Sequence, residues 1–167
     1  AVIIVMRSAG ALHLFAANVG DCRAVLYTGP NGKKTAVRLT EDHKPLPQVN
    51  PNEVARVTNA GGCVLWGRVQ GCLAVSRAFG DRSLHPFVIA DPAINTRPIN
   101  LAQDEFVYIS SDGVTDVIDD AAGCQIVSDV FARGGSSAAA AHALCSAAFQ
   151  QGSSDNISSV VLRLRKR

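Results

Sequence analysis

Residues 105–111 constrain the chain more than any other stretch, because they are largely apolar on both faces of an extended strand. Alternation puts Phe106, Tyr108 and Ser110 on one side and Val107, Ile109 and Ser111 on the other. That is the pattern of a central strand covered on both sides. Its neighbours lie mostly upstream. Residues 1–7 and 11–18 read as two strands around the turn Ser8-Ala9-Gly10, and 22–28 as a third. Gly29-Pro30-Asn31-Gly32 is a strong turn before a strand at 35–40. Three adjacent strands with short links point to an antiparallel meander. Residues 158–165 supply a last strand.

Helical signals cluster late. Asp119 or Asp120 caps a helix whose Ala122, Ile126, Val127, Val130 and Phe131 form a stripe, closed by Gly134-Gly135. Ser136 or Ser137 caps a second, with Ala141, Leu144, Cys145 and Ala148 in a stripe that ends near Gly152. In the middle of the chain, residues 41–51 are polar with three prolines and read as a loop. Asn50, Pro51 and Glu53 then mark a short helix as N-cap, first helical residue and capping-box carboxylate, with Gly61-Gly62 at its end. Short strands at 63–66 and 72–76 follow, and then a loop through Gly80-Asp81. Strands early and helices late give an α+β fold, helices packed on a mostly antiparallel sheet.

At 167 residues the chain is one domain's worth, and 47% hydrophobic content excludes a disordered tail. A net charge of +2 gives no reason to expect nucleic acid, and the one basic cluster (Arg163, Arg165, Lys166, Arg167) reads as a solvated tail. Five cysteines without a CxxC pair favour neither a zinc site nor a disulfide framework. They suit a reducing, intracellular compartment, cytoplasm or nucleus. The apolar run at 1–6 is too short for a membrane span, so no membrane partner is expected. It reads as a strand cut at its first residue, so the chain looks like a fragment.

Four aspartates share one setting. Asp21 follows Asn18-Val19-Gly20, Asp112 and Asp116 bracket Gly113-Val114-Thr115, and Asp155 precedes Asn156-Ile157. Strand-end aspartates in tight turns can converge at one rim of a sheet, where carboxylates call for a hard cation such as Mg²⁺ or Mn²⁺. For any one of them turn former or helix cap is the first reading, and spacing alone does not carry the joint metal reading. His43 and His85, in Pro-flanked loops, read as surface residues, and Ser76-Arg77 as a loop Ser and a surface Arg in preference to a nucleophile and an anion binder. The absence of HExxH, GxSxG and Walker patterns argues against zincins, serine hydrolases of that fold and P-loop enzymes.

Six ordered blocks decide what spacing leaves open. They are residues 17–26 (ANVGDCRAVL), 39–45 (LTEDHKP), 53–57 with 60–62, 68–81 (RVQGCLAVSRAFGD), 111–117 (SDGVTDV) and 152–157 (GSSDNI). Together they resemble the metal-dependent type 2C protein Ser/Thr phosphatases. The resemblance implies a β-sandwich of two antiparallel sheets flanked by helices. It implies Mg²⁺ or Mn²⁺ (two ions, with a weaker third) at one edge, a phosphoprotein substrate, and in-line attack by a metal-bound water. By matched motif, Asp112 and Asp155 stand as ligands of the second ion, and Asp21, Asp112 and Asp116 as ligands of the third. Residues 43–72 match the family's flap beside the cleft.

The resemblance also implies an N-terminally truncated domain. The family's Asp-Gly-His-Gly segment, an acidic pair and a phosphate-gripping Arg have no counterpart here, so no catalytic residue is assigned within the chain. A fragment lacking them is expected to be inactive, with open sheet edges that favour self-association. Cys22 and Thr115 stand where the family usually has Ser and Trp. The alternative is a pseudophosphatase-like binding module that keeps the fold without the activity.

Overall fold

A computed structural model describes residues 2–8, 10–30 and 33–164. Its strands are β1 Val2–Ser8, β2 Ala11–Asn18, β3 Arg23–Thr28, β4 Thr35–Arg38, β5 Val64–Leu65, β6 Arg68–Val69, β7 Ala93–Pro98, β8 Phe106–Ser110 and β9 Ser159–Arg163. The helices are α1 Pro51–Asn59, the single turn α2 Asp112–Thr115, α3 Asp120–Ala132 and α4 Ser137–Gln150. Parts of the expected turns at 8–10 and 29–32, and most of the basic cluster, lie outside the described residues.

Two antiparallel sheets carry the fold, ordered β1-β2-β7 and β4-β3-β8-β9. The expected meander is therefore corrected: β2 and β3 are consecutive but belong to different sheets. Burial gives the reason. β2 buries alternate residues (Leu14, Ala16, Asn18), as a strand with one covered face does, whereas β3 buries Arg23 to Leu26 in succession. A strand buried on both faces pairs best with another of its kind, and β3 lies antiparallel to β8 with Arg23 opposite Ser110. Gly20, at φ +101°, lets the link turn from one sheet into the other.

The double burial expected of the 105–111 stretch is realised in β8. Phe106 and Tyr108 join Val25 and Val161 under Cys124, Val127, Ala140 and Leu144 of α3 and α4. Val107 faces the other way, into Leu14, Ala16, Ala24, Leu26 and Leu39 between the sheets. Each fully buried side chain of this size contributes about 1.5–3 kcal/mol. Helix α3 comes close because it has a glycine at the contact: a Cβ on Gly123 would sit 2.7 Å from the Tyr108 hydroxyl. Of the alternative caps, Asp119 and Ser136 are the ones used, each accepting from a backbone N–H three residues on. Asp120 instead bridges Arg23 and Arg38, at 2.9 and 2.8 Å.

The middle of the chain forms a small unit with its own core of Val57, Val69 and Val88, packed by Val64, Leu73, Leu84 and Phe87. The strand expected at 72–76 does not form there. Ser76 is fully buried, and its backbone and hydroxyl turn toward His43 and Glu53 instead of a ladder partner. The 63–66 strand shortens to a two-residue arm, paired with β6. Strand β7 went unpredicted. Its Ala-Ile-Asn-Thr-Arg-Pro sequence has no apolar alternation, and Ile94 is 67% exposed at the sheet edge.

Candidate metal centre

Strand register gathers the four aspartates at one end of the second sheet. Arg23 lies opposite Ser110, and Ser110 opposite Ser159, so one row closes the sheet at the ends of β3, β8 and β9. The turns carrying Asp21, Asp112, Asp116 and Asp155 all lie just beyond that row.

Each turn is held by named contacts. Asn18 donates its side-chain amide to the carbonyls of Gly20 (2.9 Å) and Glu41 (2.8 Å). The Gly20 N–H donates to His43 Nδ1 at 3.2 Å, and the His43 N–H returns to the Gly20 carbonyl at 3.1 Å. His43 is thus fully buried and grips the Asp21 turn, which corrects its reading as a surface residue. On the other side, Ser111 Oγ donates to the Asn156 carbonyl (3.0 Å) and accepts from the Ser158 N–H (3.1 Å). A Cβ on Gly113 would stand 3.4 Å from Asp155 Cβ, so the glycine lets the Asp112 and Asp155 turns close on each other.

Lys44 sits at the centre of three of these carboxylates. Its Nζ donates to Asp116 Oδ1 and Oδ2 at 2.7 and 2.9 Å, and lies 3.8 Å from Asp21 Oδ2 and 3.9 Å from Asp112 Oδ2. Partial burial pushes the Asp21 carboxyl above its ordinary value; the charge of Asp112 adds to this, and Lys44 works against it. Burial works to lower the Lys44 ammonium's pKa, but the hydrogen bond to Asp116 and the charges of the three aspartates hold it above its ordinary value.

The donors fit a hard cation in kind, since all are carboxylate oxygens and a protein cation already stands among them. They are not closed around a shared point, however. Among the described residues no three His, Cys, Asp or Glu side chains are grouped tightly enough to hold a metal ion. Asp155 faces solvent, its Oδ1 accepting from the Asn156 N–H at 2.6 Å.

Sequence reasoning missed a second polar cluster behind the rim. Asn50 caps α1 by accepting from the Glu53 N–H, as expected. The Glu53 carboxylate, however, turns to Arg77 (2.6 Å), Arg56 (2.9 Å) and the Ser76 hydroxyl (2.6 Å). Burial alone would raise its pKa. The hydrogen bonds from Arg77, Arg56 and Ser76 outweigh that and hold it at about 2. Ser76 and Arg77 are thereby corrected from surface groups to partners of a buried carboxylate. No local pattern announces this, because the partners lie up to 24 residues apart.

Two face-to-face antiparallel sheets, helices over the outer face of one, and a carboxylate rim at its end define an α+β sandwich. Residues 1–157 match the family model described as protein phosphatase 2C. The chain is 42% identical over 158 residues to the rice "Probable protein phosphatase 2C 52" (Oryza sativa subsp. japonica), covering 92% of this chain and 29% of that protein. It is also 42% identical over 158 residues to Arabidopsis thaliana "Probable protein phosphatase 2C 69", covering 93% and 41%. Among solved structures, a C. elegans sex determining protein superposes with a TM-score of 0.76 at 28% identity, covering 92% of this chain and 37% of that one. A Toxoplasma gondii phosphatase gives 0.76 at 28%, covering 95% and 50%. The chain belongs to the protein phosphatase 2C family. It spans less than half the length of those two plant relatives.

Proposed function

We propose that the protein is a metal-dependent phosphoserine/phosphothreonine phosphatase acting on phosphoprotein substrates. The observation that carries this reading is the gathering of Asp21, Asp112 and Asp116 around a single cationic group, with Asp155 one turn away, in a phosphatase 2C chain. Asp112 and Asp155 would hold the second of two Mg²⁺ or Mn²⁺ ions, and Asp21, Asp112 and Asp116 a third. When bound, such ions lower the pKa of a water and neutralise phosphoryl oxygens.

The chain's own residues set the positions. The Ser111–Asn156–Ser158 contacts fix the Asp112 and Asp155 turns relative to one another, and His43 with Asn18 holds the Asp21 turn. Residues 43–72 act as a flap beside the rim, supported by the Val57, Val69 and Val88 core under them.

The 167 residues contain no Asp-Gly-His segment, so on their own they are expected to turn over a phosphoester slowly or not at all. Mn²⁺-dependent hydrolysis of p-nitrophenyl phosphate tests this, with Asp112→Asn as control. Turnover that disappears in Asp112→Asn refutes the inactivity of the isolated chain and supports the assignment of Asp112. Turnover equal in both refutes that assignment. The alternative, a non-catalytic pseudophosphatase-like binding module, predicts a stable fold without metal-dependent turnover.

Self-association is proposed through β9, the last strand of its sheet, where Val160 is 62% exposed. Five free cysteines support a reducing compartment, cytoplasm or nucleus. Among the described residues no helix is long and apolar enough to cross a membrane.

A further inference from the structure

We propose that Lys44 is a built-in cation for the Asp21–Asp112–Asp116 cluster, and that a divalent ion enters this cluster only by displacing the Lys44 ammonium. The inference rests on the metal-binding reading above and adds a gate to it.

Three observations carry it. First, the ammonium makes both of its short contacts to Asp116 and lies within 3.9 Å of Asp21 and Asp112, so it neutralises the same oxygens that a metal would use. A divalent ion sharing those oxygens would sit against a like charge, and the two occupants exclude each other. Second, the ammonium stands within 3.9 Å of Asp21 and Asp112, while among the described residues no three His, Cys, Asp or Glu side chains are grouped tightly enough to hold a metal ion. Third, Lys44 is a side chain on a fixed base. Its neighbour Asp42 is 5% exposed and salt-bridged to Arg23, while His43 is fully buried and doubly bonded to Gly20. The backbone cannot retreat, but a four-carbon stem ending in a compact ammonium can swing out. The swing also releases the Asp116 side chain, which is 57% exposed and has no other hydrogen-bond partner among the described residues.

The gate sets affinity. In the unliganded protein the lysine stabilises the cluster, so the free energy of breaking its contacts is subtracted from that of metal binding. Removing the ammonium while keeping the stem, as in Lys44→Met, tightens Mn²⁺ binding at this cluster. The expected gain is about ten-fold, equivalent to about 1.4 kcal/mol. Lys44→Arg keeps the charge and stays near wild type. A purely structural lysine predicts the reverse order, with the methionine variant binding no better and the arginine variant rescuing it.

The experiment is titration of the whole chain with Mn²⁺ alone, followed by calorimetry and by the free-Mn²⁺ electron paramagnetic resonance signal. Wild type, Lys44→Met, Lys44→Arg, Asp112→Asn and the double variant Lys44→Met/Asp116→Asn are compared. Thermal melting with and without Mn²⁺ is a second readout, because ligand stabilisation grows with affinity. The methionine variant should melt lower without metal and gain more from Mn²⁺ than wild type does. Tighter binding in Lys44→Met that is lost in the double variant supports the proposal. Equal or weaker binding in Lys44→Met overturns the gate while leaving the metal reading intact, provided Asp112→Asn abolishes wild-type binding. No Mn²⁺ binding in any variant overturns both.

Discussion

Gly113→Ala separates packing from propensity at the rim, because the two predict opposite signs. Gly113 lies inside α2, with no positive φ to protect it, so helix propensity alone favours alanine by up to about 1 kcal/mol. The surroundings oppose it. A Cβ there falls 3.1 Å from the Asn156 carbonyl carbon, inside that residue's oxygen shell, and 3.4 Å from Asp155 Cβ. Carbon atoms rest at about 3.5–4.0 Å, so the Asn156 peptide must retreat by roughly 0.4–0.9 Å. Gly113 is buried and Ser111 ties the same loop down, so overpacking of this kind costs about 1–3 kcal/mol. With the propensity gain deducted in full, the net loss is up to about 2 kcal/mol, a drop of up to roughly 8 °C in Tm for a chain of this size. Circular dichroism melts without metal read the stability, and Mn²⁺ calorimetry reads the separation of Asp155 from Asp112, which should weaken binding. A Tm equal to or above wild type would refute the close packing of the two turns.

Glu53→Gln should destabilise the chain by about 3–5 kcal/mol, because Arg56 and Arg77 lose a buried counter-charge; urea denaturation measures it. The same carboxyl gives a pH signature. Its folded pKa of about 2 lies below the ordinary 4.5, so its contribution is full above about pH 4.5 and fades as pH falls toward 2. Wild type should therefore lose up to about 3 kcal/mol across that window relative to Glu53→Gln, and parallel pH profiles would contradict the assignment. His43→Leu leaves the Gly20 N–H without its acceptor, at a cost of about 1–3 kcal/mol, with faster amide exchange at 20–21 as the local readout. Val160→Lys should abolish concentration-dependent association in sedimentation velocity if β9 is the self-association edge.

The parts of this structure that could be read from the sequence are those whose physics is local. The doubly apolar 105–111 stretch, the cap positions at 119–120 and 136–137 and the Asn50–Pro51 helix start each depend on residues within a few positions. The split of β2 and β3 between sheets was not legible, because pairing of β3 with β8 is decided 80 residues away by matching burial, not by the short link. Edge strand β7, with its polar sequence, offered no period to find. At the rim, recurring Asp-in-turn segments marked all four aspartates, and six ordered blocks pointed to the family. Lys44 stayed hidden, since a lysine in a Pro-rich loop is ordinarily solvated and nothing nearby shows it bending into three carboxylates. His43 and Ser76 were misjudged for the same reason: loop residues are usually exposed, whereas both are fully buried, Ser76 against the His43 carbonyl and the Glu53 carboxylate.

The rim also has kinetic consequences. Four aspartates stand against one lysine at these turns, in a chain whose overall charge is +2. Under the proposed phosphatase function, such an asymmetry would draw small cations toward the turns and slow the approach of a doubly charged phosphate ester, and both effects shrink as salt rises. On that reading, encounter with the ester would be coupled to how much of the rim's charge has already been neutralised, and long-range electrostatics would favour the cation arriving before the ester.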